Sequence, residues 1–339
     1  MQTINTANIN SSNKRLIWLD NLKAFLIVLV VLGHAIQLLN PVSYQHDILF
    51  RYIYSFHMPL FIFVSGYACY RVDVHWNMVR RRFVQLIIPY TLWSFVQCFM
   101  EGHIRIWEMF LYPERSLWFL YVLFFVTLLH VLCVRISKRT GLKEEIVVAI
   151  AAVLIFPTML FFRYFGWPII AKYFMFYSMG FYARKYIRFE QRSTYLIGAM
   201  LILFLFTAYF CMQDSAPSFM EGGANILYKY PYNLVVALLG IASFMLLFAN
   251  AFTRKSNIVM KVAGGTLGLY AIHRTIGLWL ASIVLIWSFG SCDLSRDSLY
   301  YFYVILVWIG VFFISWLILY LLEKSTILSV LLLGKQKNK

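Results

Sequence analysis

Ten runs of about 17–25 mostly apolar residues alternate along the chain with short polar stretches rich in Lys and Arg. They fall at 18–39, 49–71, 83–100, 117–135, 146–162, 168–185, 194–212, 231–252, 265–289 and 299–322. Each is long enough for a helix to cross a hydrocarbon layer of about 30 Å. Pro157 interrupts the fifth run, which membrane helices tolerate where neighbours re-satisfy the backbone. The pattern predicts an all-α polytopic membrane protein, a bundle of about ten transmembrane helices with no second domain.

Composition agrees with the pattern. Of 339 residues, 62% are hydrophobic and 13% charged, against about 45–50% and about 25% in soluble domains. The net charge of +16 raises nucleic acid as a partner, and its distribution removes it. With an even number of spans both termini share one side. That side receives Lys14, Arg15, Arg71, Arg80, Arg81, Arg82, Arg135, Lys138, Arg139, Lys143, Arg184, Lys185, Arg188 and Arg192. Arg254, Lys255, Lys261, Lys324, Lys335, Lys337 and Lys339 join them, against Arg105, Arg115, Arg163, Lys229 and Arg296 opposite. The excess is a positive-inside signal that puts both termini in the cytoplasm. No cleavable signal peptide is expected, because the first run is longer than a typical signal core. The five cysteines have neither metal-type nor disulfide-framework spacing. Cys211 and Cys292 both fall toward the outer side, where unpaired thiols are the simpler expectation and a bridge the alternative.

Ionisable groups inside such runs are costly, so each is a functional candidate. In the first run Asp20, Lys23 and His34 share one stripe, with His34 about 16 Å beyond Lys23 along a helix. The alternative is that Asp20 and Lys23 snorkel to the headgroups while His34 bonds a backbone carbonyl. In the second run, Pro59 breaks the hydrogen-bond ladder near His57 and Ser55, which suits either a polar pocket or a kinked packing helix. Ser65 and Gly66 allow close approach of another helix. The third run opens with Arg80, Arg81 and Arg82, which suit lipid headgroups or the phosphates of a nucleotide cofactor equally. The ninth carries His273 and Arg274 near mid-membrane, where at least one must face a cavity or a partner. His130 reads as packing. No HExxH, GxSxG, P-loop or CxxC pattern is present, so zinc-hydrolase, serine-hydrolase and NTPase chemistry have no support.

Six segments together resemble one family. They are RLIWLDNLKAFLIVLVVLGHA (15–35), FHMPLFIFVSGY (56–67), the Arg-rich entry to Pro89-Tyr90, SLWFLYVLF (116–124) with Trp118, FYSMGFYARK (176–185) and TLGLYAIH (266–273). In this order, over nearly the whole chain, they are similar to the acyltransferase 3 family of integral membrane acyltransferases, and most to its fucose 4-O-acetylase-like branch. The resemblance implies a ten-helix acyltransferase domain over 16–323, between a disordered cytoplasmic tail (1–15) and a basic one (324–339). It implies transfer of an acetyl group from cytoplasmic acetyl-CoA, with no metal, to a hydroxyl of a glycan or lipid-linked sugar, in a bacterial cytoplasmic membrane.

On that resemblance His34 matches the catalytic first-helix histidine, as general base or transient acyl carrier, with His57 or Ser55 orienting it or binding the acceptor. Arg81 and Arg82, with Lys23, would meet the CoA phosphates. The family often has an arginine just before Pro-Tyr where this chain has Gln85. Two other readings stay open: a transporter or flippase of a glycan-related substrate, and a transferase of another acyl group such as succinyl. Against the transporter, the two halves show no repeat symmetry. The acceptor sugar and the oligomeric state are not encoded in any motif.

Overall fold

The computed structural model describes residues 16–70, 76–100, 102, 106–210, 223–289 and 297–335. The tail 1–15 and both outer cysteines, Cys211 and Cys292, lie outside them. The described residues form helices and no β-strand. In chain order these are α1 (Ile17–Leu39), α2 (Ile48–Cys69), α3 (Trp76–Met100), α4 (Ile106–Leu111), α5 (Trp118–Thr140), α6 (Glu144–Thr158) and α7 (Trp167–Tyr186). Then come α8 (Thr194–Tyr209), α9 (Gly223–Ala251), α10 (Asn257–Gly264), α11 (Thr266–Ser288), α12 (Tyr300–Glu323) and α13 (Thr326–Leu333).

Among the described residues seven of these helices are long and apolar enough to cross a membrane. The other three predicted runs are helical too: α6 has 15 residues, α7 has 20 and α8 has 16. The third run starts earlier than its hydropathy suggests, at Trp76. Pro157 does not interrupt the fifth. It sits in the last turn of α6, where the helix ends. The most apolar helix, α12, has a mean hydropathy of 2.6 yet only 22% of its core window is buried. Water would not tolerate so much exposed apolar surface, and lipid does. This is a membrane protein.

The centre of the bundle is the α2–α7 pair, the most closely packed two helices. Gly66 and Gly180 make that approach possible. A Cβ on Gly66 would fall into the Tyr177 carbonyl, and one on Gly180 into the Phe63 carbonyl. Small residues at such crossings let membrane helices gain dispersion contacts that a hydrophobic effect cannot supply there. Around them pack aromatic rings, including Phe56 and Phe244 stacked at 4.3 Å.

Polar ends tie the helices at two opposite faces. At one, the Asn21 side chain donates to the carbonyls of Phe252 (2.8 Å) and Arg254 (3.0 Å). Trp18 donates to Glu190, and Asn250 to the Phe189 carbonyl. Lys185 pairs with Glu145 at 2.6 Å. This face also collects Arg188, Arg192 and Lys335, so it is the basic face. At the other, Asp47 caps α2 through the Phe50 amide and accepts from Tyr301.

The segment 324–339, expected as a tail, is folded over 326–333. Ser325 caps α13. Trp93 donates to the Leu332 carbonyl at 2.8 Å. Gly334, at φ 63°, lets the chain settle against the Gln85 backbone. A Cβ there would run into the Gln85 carbonyl, and the left-handed backbone favours glycine besides.

Candidate active site

Two helices lose their α register where the polar residues gather. In α3 the stretch Phe83–Ile87 is π-helical, directly after Arg82. In α11 the π stretch is His273–Gly277. A π turn inserts one residue into the spiral and re-aims the side chains around it, which is why such turns mark functional sites. A third irregularity separates α10 from α11 at Gly265. The Gly264-Gly265 pair ends one helix and the next begins at Thr266.

The π turn of α3 and the break at Gly265 frame a cleft of about 300 Å³ at the basic face. Arg82 and Gln85 line it from α3, Gly264 to Gly268 from the helix break, and Leu333, Gly334 and Lys335 from the folded-back C-terminus. Behind it lies a polar cluster. Arg82 donates to the Cys69 thiol and to Gln85 (3.4 Å). Lys23 sits 3.6 Å from Asp20 and close enough to the Arg82 guanidinium to interact with its charge. Tyr177, fully buried, adds its hydroxyl to this cluster near Cys69 and Arg82. Of the two arginines expected together, only Arg82 turns into the bundle, while Arg81 is exposed. Successive helix positions are about 100° apart, so the two cannot share a face.

A second cluster lies deeper. The His34 ring is 5.3 Å from the His273 ring. His34 Nδ1 is 2.7 Å from the Gln37 side-chain oxygen. His273 Nδ1 is 2.9 Å from the Leu269 carbonyl, and His57 Nδ1 is 2.7 Å from the Ile53 carbonyl. A backbone carbonyl only accepts, so His57 and His273 carry the hydrogen on Nδ1 and keep the lone pair on Nε2; with the Gln37 amide oxygen turned toward it, His34 has the same tautomer. His57 packs edge-on to Tyr54 at 4.5 Å. Arg274 lies close enough to act electrostatically on His34, Tyr54 and Tyr270.

The expected orienting partners of His34 need correction. Ser55 donates to the Tyr52 carbonyl, and His57 bonds its own helix. Gln37 takes that place. Ser65 donates back to the Phe61 carbonyl at 2.8 Å, a local bond that leaves it no part in either cluster. Trp118 stacks on Tyr173 at 5.4 Å, near the Phe119–Tyr270 contact. Asp20 is engaged with Lys23 and remains far from His34. His130, expected as packing, lies fully buried against Phe181 at 4.3 Å. Among the described residues no three metal-ligating side chains converge.

The helix break joins the two clusters. Gly268 lines the cleft, and His273 follows five residues later on the same helix, about 7.5 Å of rise. A molecule seated in the cleft is thus one and a half turns from the histidines.

The model of the acyltransferase domain of acyltransferase 3 proteins matches residues 16–324. The chain belongs to the acyltransferase 3 family. Two curated relatives are similar to it. Nodulation protein NolL of Sinorhizobium fredii (strain NBRC 101917 / NGR234) is 28% identical over 247 residues, 66% of this chain and 62% of the relative. Nodulation protein NolL of Mesorhizobium japonicum (strain LMG 29417 / CECT 9101 / MAFF 303099) is 34% identical over 88 residues, 24% of each chain. The matched stretches therefore span 62% and 24% of those relatives' own lengths. No solved structure matches the chain significantly. The acyltransferase 3 match runs through every helix that carries the two clusters, from Asp20 to Arg274. It ends at Lys324, so α13, which closes the cleft, lies beyond it.

At the polar ends of α6 and α7 one titrating cluster stands out on the basic face. The Lys185 ammonium and Tyr186 hydroxyl, both hydrogen-bonded to Glu145, hold its carboxyl at about 2.

Proposed function

We propose that this membrane acyltransferase moves an acetyl group from cytoplasmic acetyl-CoA to a sugar hydroxyl of a surface polysaccharide or glycolipid. The basic face is then cytoplasmic, with ten spans in the membrane of a bacterium. The observation that carries the reading is His34. Its ring is pinned through Nδ1 by Gln37, which leaves Nε2 as a base in the deeper histidine cluster.

A sugar hydroxyl is a weak nucleophile. His34 Nε2 takes its proton as the oxygen attacks the thioester carbonyl. The C–S bond then breaks and CoA leaves as a thiolate, which takes up a proton. Arg82 and Lys335, with Lys23 behind, supply positive charge where the CoA phosphates enter. From Lys23 to His34 is about 16 Å along α1, a span that the extended pantetheine arm bridges. The donor thus stays on the cytoplasmic side while its acyl carbon reaches the acceptor. His57 and Tyr54 form the wall on the acceptor side.

The test is transfer by the purified chain in lipid vesicles. Free CoA should appear from acetyl-CoA only when acceptor is present, with acetyl esters on the sugar. Transport of unmodified glycan without CoA release would establish the transporter instead. Turnover with succinyl-CoA alone would change the group and keep the mechanism.

A further inference from the structure

We propose that His273 is a second proton-holding group of this reaction: it receives from His34 the proton of the acceptor hydroxyl and delivers it to the departing CoA thiolate. The inference rests on the acyltransferase reading above and deepens it.

The geometry begins with an unsatisfied atom. His273 is fully buried, and its Nε2 has no hydrogen-bond partner among the described residues. Its Nδ1 hydrogen is committed to the Leu269 carbonyl, so this Nε2 is a bare acceptor. A buried acceptor without a donor is unfavourable. Unlike the equally bare Nε2 of His130, which packs among aromatic rings, this atom lies beside a second histidine that can become a donor during function. The His273 ring packs beside that of His34, 5.3 Å away between centroids. In the resting state His34 has no hydrogen on Nε2 to give. Once it has deprotonated a hydroxyl it has one. The two rings are then a donor and an acceptor in adjacent positions, and hydrogen bonds of this kind are often long until the reacting complex forms.

The other end of the relay is the leaving group. His273 follows Gly268, which lines the donor cleft, by five residues on the same helix. His273 thus shares a helix with the donor cleft, and in the proposed relay it hands its proton to the thiolate formed from the donor seated there. Arg274, next in the chain, opposes a lasting second positive charge there, so the proton passes on. The same charge disfavours a bound cation between the rings. The π turn that begins at His273 re-aims this pair out of the regular helical spiral.

The proton balance closes. The acceptor O–H breaks, its hydrogen moves to His34 Nε2 and then to His273 Nε2, and it ends on the CoA sulfur. The acceptor oxygen bonds to the acetyl carbon as the C–S bond breaks. Acetyl ester and neutral CoA are the products, and both rings return to their starting tautomers.

The experiment uses the full chain in lipid vesicles with acetyl-CoA and a panel of octyl glycosides. Loss of a general acid–base group costs roughly 10²–10⁴-fold, so H273A should lower kcat by at least about a hundredfold. Added imidazole, small enough for the vacated space, should restore much of it. The wild type in H2O–D2O mixtures should show a bowed proton inventory, from more than one proton in flight, and residual H273A turnover a linear one. An H273A rate close to wild type overturns the proposal. So does a slow H273A that imidazole cannot rescue and whose inventory stays bowed, since a packing role would give that. If H273A fails to insert, His273→Asn, which keeps a donor for the Leu269 carbonyl and cannot relay, decides: a slow variant supports the proposal and a fast one overturns it. Absence of sugar acetylation by the wild type itself would remove the acyltransferase-to-sugar reading, and the inference with it.

Discussion

Replacing Gln37 by leucine removes the polar contact that fixes the His34 ring among the described residues, the 2.7 Å bond to Nδ1. In the ground state that bond is neutral and worth about 0.5–1.5 kcal/mol net. When His34 takes a proton it becomes charge-assisted, about 1.5–3 kcal/mol. Only the difference, about 1–1.5 kcal/mol, is made solely in the transition state, so Q37L should lower kcat roughly 5- to 15-fold. KM for acetyl-CoA should hold, because Gln37 is remote from the cleft. The assay is thiol release from acetyl-CoA at saturating acceptor, with Q37E beside it. A carboxylate can only accept, so Q37E should keep or raise activity if Nδ1 carries the hydrogen. Loss of activity in Q37E would place the hydrogen on Nε2 and refute His34 as the base. A Q37L rate equal to wild type would refute the orienting role.

Arg82→Ala should raise KM for acetyl-CoA by about tenfold or more, the scale of one charge-assisted contact, and Arg81→Ala should do much less, as steady-state kinetics would show. Gly180→Leu must push the Phe63 backbone away. It should cost at least about 1–3 kcal/mol, seen as a lower Tm or loss of monodisperse protein in detergent. Deleting 326–335 opens the cleft that Leu333 and Gly334 line. Donor affinity should fall while the helical content of the bundle, read by circular dichroism, stays close to wild type. Glu145, held at about 2 against an ordinary value of 4.5, stabilises the fold fully above pH 4.5 and progressively less as pH falls toward 2. The Tm gap between wild type and Glu145→Gln should therefore close over that range.

Much of this architecture was legible because membrane helices advertise themselves by length and hydropathy. A helix occupies every predicted run. The candidates were legible for a related reason: an ionisable side chain in an apolar run has few innocent explanations, and the fold brings His34, His57, His273 and Arg274 together in the deeper cluster. What the pattern could not give was direction. Arg81 and Arg82 are equivalent as text, and only the helix phase before the π turn separates them. Gln37, three residues after His34, was within reach of the rule that positions three apart on a helix meet. Its polarity in an apolar run was the available signal. The cleft had no such signal. It is made by a glycine pair that ends α10, by a π turn in α3, and by a terminal segment whose Lys-rich composition reads as a tail. Backbone irregularity of that kind depends on tertiary packing, which local hydropathy does not encode.

The most direct test of the account compares cells expressing wild type and His34→Ala at equal membrane levels, measuring O-acetyl groups on their surface glycans. The account predicts an O-acetyl signal with the wild type that disappears in the variant. An equal signal in both would contradict it, and would leave His34 a packing residue beside a base that lies elsewhere.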